Sequence, residues 1–326
     1  MSANPPLSTG TSEPTAYNQC TSASGSGVAT PTEVTYPSGS LEERATVVEV
    51  LDDPRPAAGP RVLVITDVTP FHPLDPLWPD QPADHGELLV GEVQHSVSDT
   101  VTVARRTDGP LMVDYGIDAR RDEPGVVFRV AHSLGPTTGP RPAAGDRVTL
   151  VVDPVRRARL NAAHTACHLL AYALNAATHD LWSKPTAFDS RGHHDFDRAT
   201  CVHTRHDVDG SVDRYRLGKS LRKLGFDSAR FFDELPGIIE RINVTLAEWI
   251  RADSAVRIHC EGTLLTDRRE WVCELPGGTA HMPCGGTHVS HLAELVTMHA
   301  RADFDAEGSI LTITNATRPA LRTAAR

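Results

Sequence analysis

Between Val155 and Ala177 the chain carries neither proline nor glycine, and Asp153-Pro154 stands immediately before that stretch. Aspartate is a strong helix N-cap because its carboxylate accepts the free amides of the first turn, and proline is preorganised for the first helical position. Leu160, Ala163, Cys167, Leu170, Ala171 and Leu174 recur at helical spacing and lie close to one apolar stripe. The pattern predicts a long helix opening at Asp153, and any fold of this chain must bury that stripe.

The sequence before the helix has a different texture. Short β-branched runs occupy Ala45–Val50, Arg61–Val68, Leu88–Val93, Val101–Ala104, Val126–Val130 and Arg147–Val152, with turn signals at Pro56–Pro60 and Ala143–Asp146. Several short strands at this spacing predict a small antiparallel barrel or sandwich over 41–153. Residues 1–40 are rich in Ser, Thr, Gly and Pro and poor in large apolar side chains. Such a segment buries too little apolar surface to offset its ordering entropy and is expected to be a flexible tail.

After the helix, Thr200–His206 and Ser211–Leu217 flank Asp209-Gly210, a hairpin signal. Pro236–Arg251 reads as a second amphipathic helix, and Val256–Cys260, Glu270–Leu275, Leu295–Ala300 and Ser309–Thr314 as strands. The fold class expected is therefore α+β: a small N-terminal β-barrel domain, then an α+β domain over 154–318, with 319–326 as a C-terminal tail.

Composition narrows the function classes. A net charge of −10 argues against a surface that binds nucleic acid everywhere, although a local basic patch remains possible. No apolar run approaches the roughly 20 residues of a membrane span, and the N-terminus lacks a signal-peptide pattern, so a cytoplasmic protein with no membrane partner is expected. Six cysteines in 326 residues do not make a disulfide scaffold. Reduced thiols, one or more of them metal ligands, are the better expectation, and sixteen histidines point the same way.

Two short strings carry the chemistry. His164 and His168 are four apart on the long helix, so both imidazoles lie on one face and can converge on one ion. Alone, such a pair is more often solvated or hydrogen-bonded. The second string is Cys284-Gly285-Gly286-Thr287-His288, in which two glycines allow a tight turn that aims thiol and imidazole the same way. Alone, it could be a glycine-rich turn with a buried thiol. Together they supply a Cys-His₃ donor set suited to tetrahedral Zn²⁺. Zinc peptidases place a glutamate directly after the first histidine as general base. Here that position is Thr165, which disfavours a peptidase.

The strings His164–Leu170 and Pro283–Val289 resemble the paired HxxxH and CGGTH motifs of the alanyl-tRNA synthetase editing domain and its free-standing AlaX-type deacylase relatives. The layout of about residues 45–316 agrees, although only the two metal motifs are sharp. A third family string, Gly-Gly-Gln-Pro-x-Asp-x-Gly, is matched at Gln81, Pro82, Asp84 and Gly86, whereas Pro79 and Asp80 replace its two glycines. That departure, and the proline-rich lead-in Phe71–Trp78, imply a reshaped loop over the acyl pocket.

The resemblance implies a zinc-dependent hydrolase of translation fidelity, cleaving the ester of an aminoacylated tRNA. The zinc ligands would be His164, His168, Cys284 and His288, with Gln81 and Cys284 as the catalytic candidates. Gln81 would orient water or the terminal ribose, unless it is an ordinary loop glutamine. Arg214, Arg216, Lys219, Arg222 and Lys223 form the best tRNA-binding patch, with Arg156, Arg157 and Arg159 as a second, although solvated faces are commoner. The remaining histidines, His193, His194, His203 and His206 among them, are expected at the surface or hydrogen-bonded. Expected substrates are Ser or Gly on tRNA(Ala), or a threonine analogue on tRNA(Thr). A small-ester or amide hydrolase on the same scaffold, or a noncatalytic zinc-stabilised binding module, are the alternatives.

Overall fold

The computed structural model describes residues 30–55, 61–76, 79–136, 139–305, 307 and 309–320. The turn expected at Pro56–Pro60, Cys20, and most of the two expected tails lie outside these residues.

The N-terminal strands are β1 (Glu33–Val34), β2 (Glu42–Asp52), β3 (Val62–Thr66), β4 (Val68–Thr69), β5 (Gly86–Val90), β6 (Val93–Arg106), β7 (Leu111–Val113), β8 (Val126–Leu134) and β9 (Arg147–Val152). Seven of them form one antiparallel sheet in the order β5-β9-β2-β3-β8-β6-β7, and β5 also pairs with β6. Ala45, Val47, Val64, Leu88, Leu134, Val148 and Leu150 pack into one buried cluster with Phe71. The alternation of β2 and β9 supplies its inward residues. The strand runs read from the sequence overlap these elements, but Leu88–Val93 straddles the β5–β6 turn at Gly91-Glu92, Arg61–Val68 spans both β3 and β4, and β6 is far longer than Val101–Ala104. Its register slips between Val97 and Asp99, where the ladder to β8 is irregular. Residues 30–40, expected in the tail, are packed: Val34 and Tyr36 are buried against Phe128 and Leu265, two apolar anchors in an otherwise polar segment.

The expected helix is α1 (Pro154–Thr178), and Asp153 caps it by accepting the amides of Val155 and Arg156 at 2.9 and 3.1 Å. It is followed by α2 (Phe196–Thr200), β10 (Cys201–Asp207), β11 (Gly210–Arg216), α3 (Lys219–Lys223), α4 (Ser228–Ala252), β12 (Val256–Cys260), β13 (Arg269–Leu275), β14 (Gly278–Pro283), β15 (Leu295–Asp305) and β16 (Ile310–Pro319). A four-stranded sheet, β10-β11-β16-β15, and a three-stranded sheet, β12-β13-β14, flank the helices. The middle of α1 is buried almost all round, where a single stripe was expected. Its alanines allow α4 and the sheet to approach closely, and Leu169, Leu170 and Leu174 share one core with Phe231, Ile242, Leu246, Leu311 and Ile313. The whole is α+β.

Helix α4 begins two turns before Pro236, where the sequence pattern placed its start. Asp227 caps it by accepting the Arg230 amide, and Phe231 is fully buried in its first turn. Those gains outweigh the one hydrogen bond that an internal proline removes.

Arg157 ties α1 to the N-terminal sheet. Its guanidinium is bidentate on Asp84, with Nε at 3.0 and 3.1 Å from the two carboxylate oxygens, and donates to the Pro70 carbonyl at 2.7 Å. Both side chains are buried, so the expectation of Arg157 in a tRNA-facing patch is corrected: its charge is spent inside the protein.

Candidate metal centre

Three segments meet over the middle of α1: the helix itself, the loop between β4 and β5 that carries Asp80 and Gln81, and the loop after β14 that carries Cys284 and His288. The donor atoms of His164, His168, Cys284 and His288 all lie within 4.8 Å of one another. Cys284 Sγ is 3.4 Å from His164 Nε2 and 3.2 Å from His288 Nε2. His168 stacks on His288, and its buried Nε2 has no hydrogen-bond partner.

The outer nitrogens of two rings are held by neighbours. His164 Nδ1 donates to the Gln81 side-chain oxygen at 2.7 Å, which leaves Nε2 as the ring's acceptor. The Thr287 amide donates to the same oxygen at 3.0 Å, which fixes the orientation of the Gln81 amide, and Gln81 Nε2 donates to Thr287 Oγ1 at 2.9 Å. Thr165 Oγ1 lies 3.1 Å from His288 Nδ1 and accepts the Val289 amide at 3.2 Å. The residue that stands where a peptidase carries its glutamate therefore supports the His288 ring. Gln81 is 1% exposed, and these bonds aim it at His164 and the loop.

The two loop glycines do different work. A Cβ on Gly286 would lie 2.2 Å from His164 Cε1 and 2.5 Å from the Gln81 oxygen, whereas one on Gly285 meets nothing within 4 Å. Neither residue has a positive φ. Close approach to the histidine, rather than a left-handed turn, is what requires glycine at 286.

Burial holds the imidazoles neutral. It depresses His164 and His288 well below the usual histidine range, helped by the surrounding rings, and brings His168 down to about 3. Burial, and then the Asp80 carboxylate, push the Cys284 thiol up. A divalent cation reverses that preference by binding the thiolate. Neutral imidazoles, one with its tautomer set by Gln81, a thiol, and an orphaned Nε2 on His168 fit a tetrahedral zinc site.

The other sequence-picked residues are placed apart from this cluster. Arg214 and Arg216 project from β11, and Lys219, Arg222 and Lys223 lie on or beside α3; all five are exposed. Cys167, Cys201, Cys260 and Cys273 are free thiols.

One residue expected at the surface or hydrogen-bonded is instead buried beside the cluster, with no hydrogen-bond partner on its ring. His206, on β10, is 1% exposed, with its ring centroid 4.4 Å from that of His164. No sequence signal marks it, because its burial follows from how the β10–β11 hairpin lies over α1. Asp80, noted only as a departure from a family string, stands between His206 and His164.

No family model matches the chain. It is similar to the alanine–tRNA ligase of Chloroflexus aurantiacus, at 27% identity over 283 residues, covering 78% of this chain and 25% of the ligase. Most of the chain is related to one part of that ligase. It spans about a quarter of the relative's length. Among the described residues, no helix is long and apolar enough to cross a membrane.

Proposed function

We propose that the protein is a zinc-dependent editing hydrolase that cleaves the aminoacyl ester of a mischarged tRNA in trans. The observation that carries this reading is the convergence of His164, His168, Cys284 and His288 from a helix and a distant loop. Similarity to an alanine–tRNA ligase supports the choice of an aminoacyl-tRNA substrate over other esters. In this reading the chain has two domains meeting at 153/154, the first a small barrel whose segment 79–85 covers the second.

His164, His168, Cys284 and His288 would hold a zinc ion, which would supply Lewis acidity to a carbonyl and, where one position is left open, would lower the pKa of a bound water. The chain's own residues prepare the site. Gln81 fixes the tautomer of His164 and Thr165 orients the His288 ring, so that both Nε2 atoms face inward. Cys284 supplies a thiolate donor. The substrate ester enters beside Asp80, whose side chain is 17% exposed. Arg214, Arg216, Lys219, Arg222 and Lys223 are free to meet tRNA phosphates, where counterion release favours binding. A net charge of −10 favours the alternative of a small-ester hydrolase on the same scaffold.

The test is deacylation of Ser-tRNA(Ala), Gly-tRNA(Ala), Thr-tRNA(Thr) and a threonine-analogue tRNA(Thr) by the purified chain. Hydrolysis of one mischarged member identifies the substrate. Hydrolysis of none, with activity on a small ester, transfers the assignment to the small-ester reading.

A further inference from the structure

A carboxylate and a further buried imidazole stand beside the Cys-His₃ set. Asp80 Oδ2 lies 3.5 Å from His206 Nε2 and 3.7 Å from His164 Nε2, and the donor atoms of the three residues lie within 4.8 Å of one another. His206 is 1% exposed, yet neither ring nitrogen has a hydrogen-bond partner. Leaving a buried polar group unsatisfied is costly, and a bound cation would remove that cost for Nε2.

The arrangement is held by the backbone. The His206 amide donates to the Asp80 carbonyl at 2.9 Å, which ties the end of β10 to the segment 79–85. Asp80 is partly open to solvent, so an ion has an entry path to the set.

One carboxylate and two imidazoles form a harder donor set than a thiolate with three imidazoles. Such a set accepts first-row divalent cations with open positions, including Mn²⁺, which thiolate ligands do not favour. We propose that Asp80, His164 and His206 form a second seat for a divalent cation, sharing His164 Nε2 with the Cys284 set. His164 Nδ1 is committed to Gln81, so only one nitrogen of that ring is available. The two seats are therefore alternatives, and one ion occupies one or the other. This seat is independent of which ester, if any, the protein hydrolyses.

The test is Mn²⁺ titration of the metal-stripped 326-residue chain, followed by electron paramagnetic resonance, beside Zn²⁺ affinity from chelator competition. The expected result is one Mn²⁺ per chain, displaced one for one by Zn²⁺. Asp80→Asn and His206→Gln should each weaken Mn²⁺ binding by about tenfold or more, the usual scale for lost metal support, with a much smaller change in Zn²⁺ affinity. Asp80→Glu, which keeps the carboxylate, should retain Mn²⁺. No Mn²⁺ binding by the parent, unchanged Mn²⁺ affinity in both variants, or an equal fall for both metals overturns the proposal. So does simultaneous binding of Mn²⁺ and Zn²⁺.

Discussion

Nδ1 of His164 lies 2.7 Å from the side-chain oxygen of Gln81, so a residue from the N-terminal half sets the tautomer of a histidine on α1. The Thr287 amide shares that oxygen, which draws the loop carrying Cys284 and His288 into the same arrangement. Gln81 thus acts through His164 and is a positioning residue in this account. Gln81→Ala should lower zinc affinity by about 10–100-fold while the fold persists. Chelator competition measures it, and an unchanged affinity contradicts the positioning role.

The asymmetry of the two loop glycines gives a matched pair. Gly286→Ala forces a methyl group into the His164 ring and the Gln81 amide and should cost about 1–3 kcal/mol together with most of the zinc affinity. Gly285→Ala meets open space and should change both little. Thermal unfolding and metal content of the two purified variants decide it, and equal effects would contradict the close-approach argument.

The Arg157–Asp84 pair is buried on both sides, so removing one partner leaves an uncompensated charge. Arg157→Ala should destabilise by about 3–5 kcal/mol. Arg214→Ala, at an exposed position, should stay within about 0.5 kcal/mol. The two should exchange rank in tRNA binding: Arg214→Ala should weaken affinity and flatten its salt dependence. Urea denaturation and tRNA titrations at several salt concentrations test both halves.

His132 gives a pH signature away from the metal ligands. It is fully buried, with Nε2 at 2.8 Å from Thr69 Oγ1 and Nδ1 at 3.0 Å from the Val64 carbonyl, and burial lowers its pKa to about 4. The unfolded chain takes up this proton near the usual pKa of about 6.5, before the folded chain does. The stability contribution is therefore complete above pH ~6.5 and is lost as the pH falls towards 4, by roughly tenfold in the folding equilibrium per pH unit. The gap in denaturation midpoint between the parent and His132→Gln should narrow over that interval. A gap independent of pH would contradict the argument.

Much of this architecture could be read from residue order, for identifiable reasons. Asp153-Pro154 and an uninterrupted apolar period mark α1 locally, and an i, i+4 histidine pair needs only helix geometry to share a face. What was illegible depends on tertiary contact. The start of α4 is hidden by Pro236 and settled by the burial of Phe231. β14 begins at Gly278 and has no apolar alternation to mark it; it exists because β13 pairs with it. Arg157 looks like part of a basic run until Asp84 arrives from 73 residues away. His206 looks like any strand histidine until the hairpin places it against His164.

The most direct test of the central claim is single-turnover deacylation of the mischarged tRNA by the 326-residue chain, before chelation, after it, and after zinc is restored. The account predicts that the rate falls to background on chelation and returns with one zinc per chain, and that Cys284→Ala fails to recover. Full activity in the metal-free protein would contradict it.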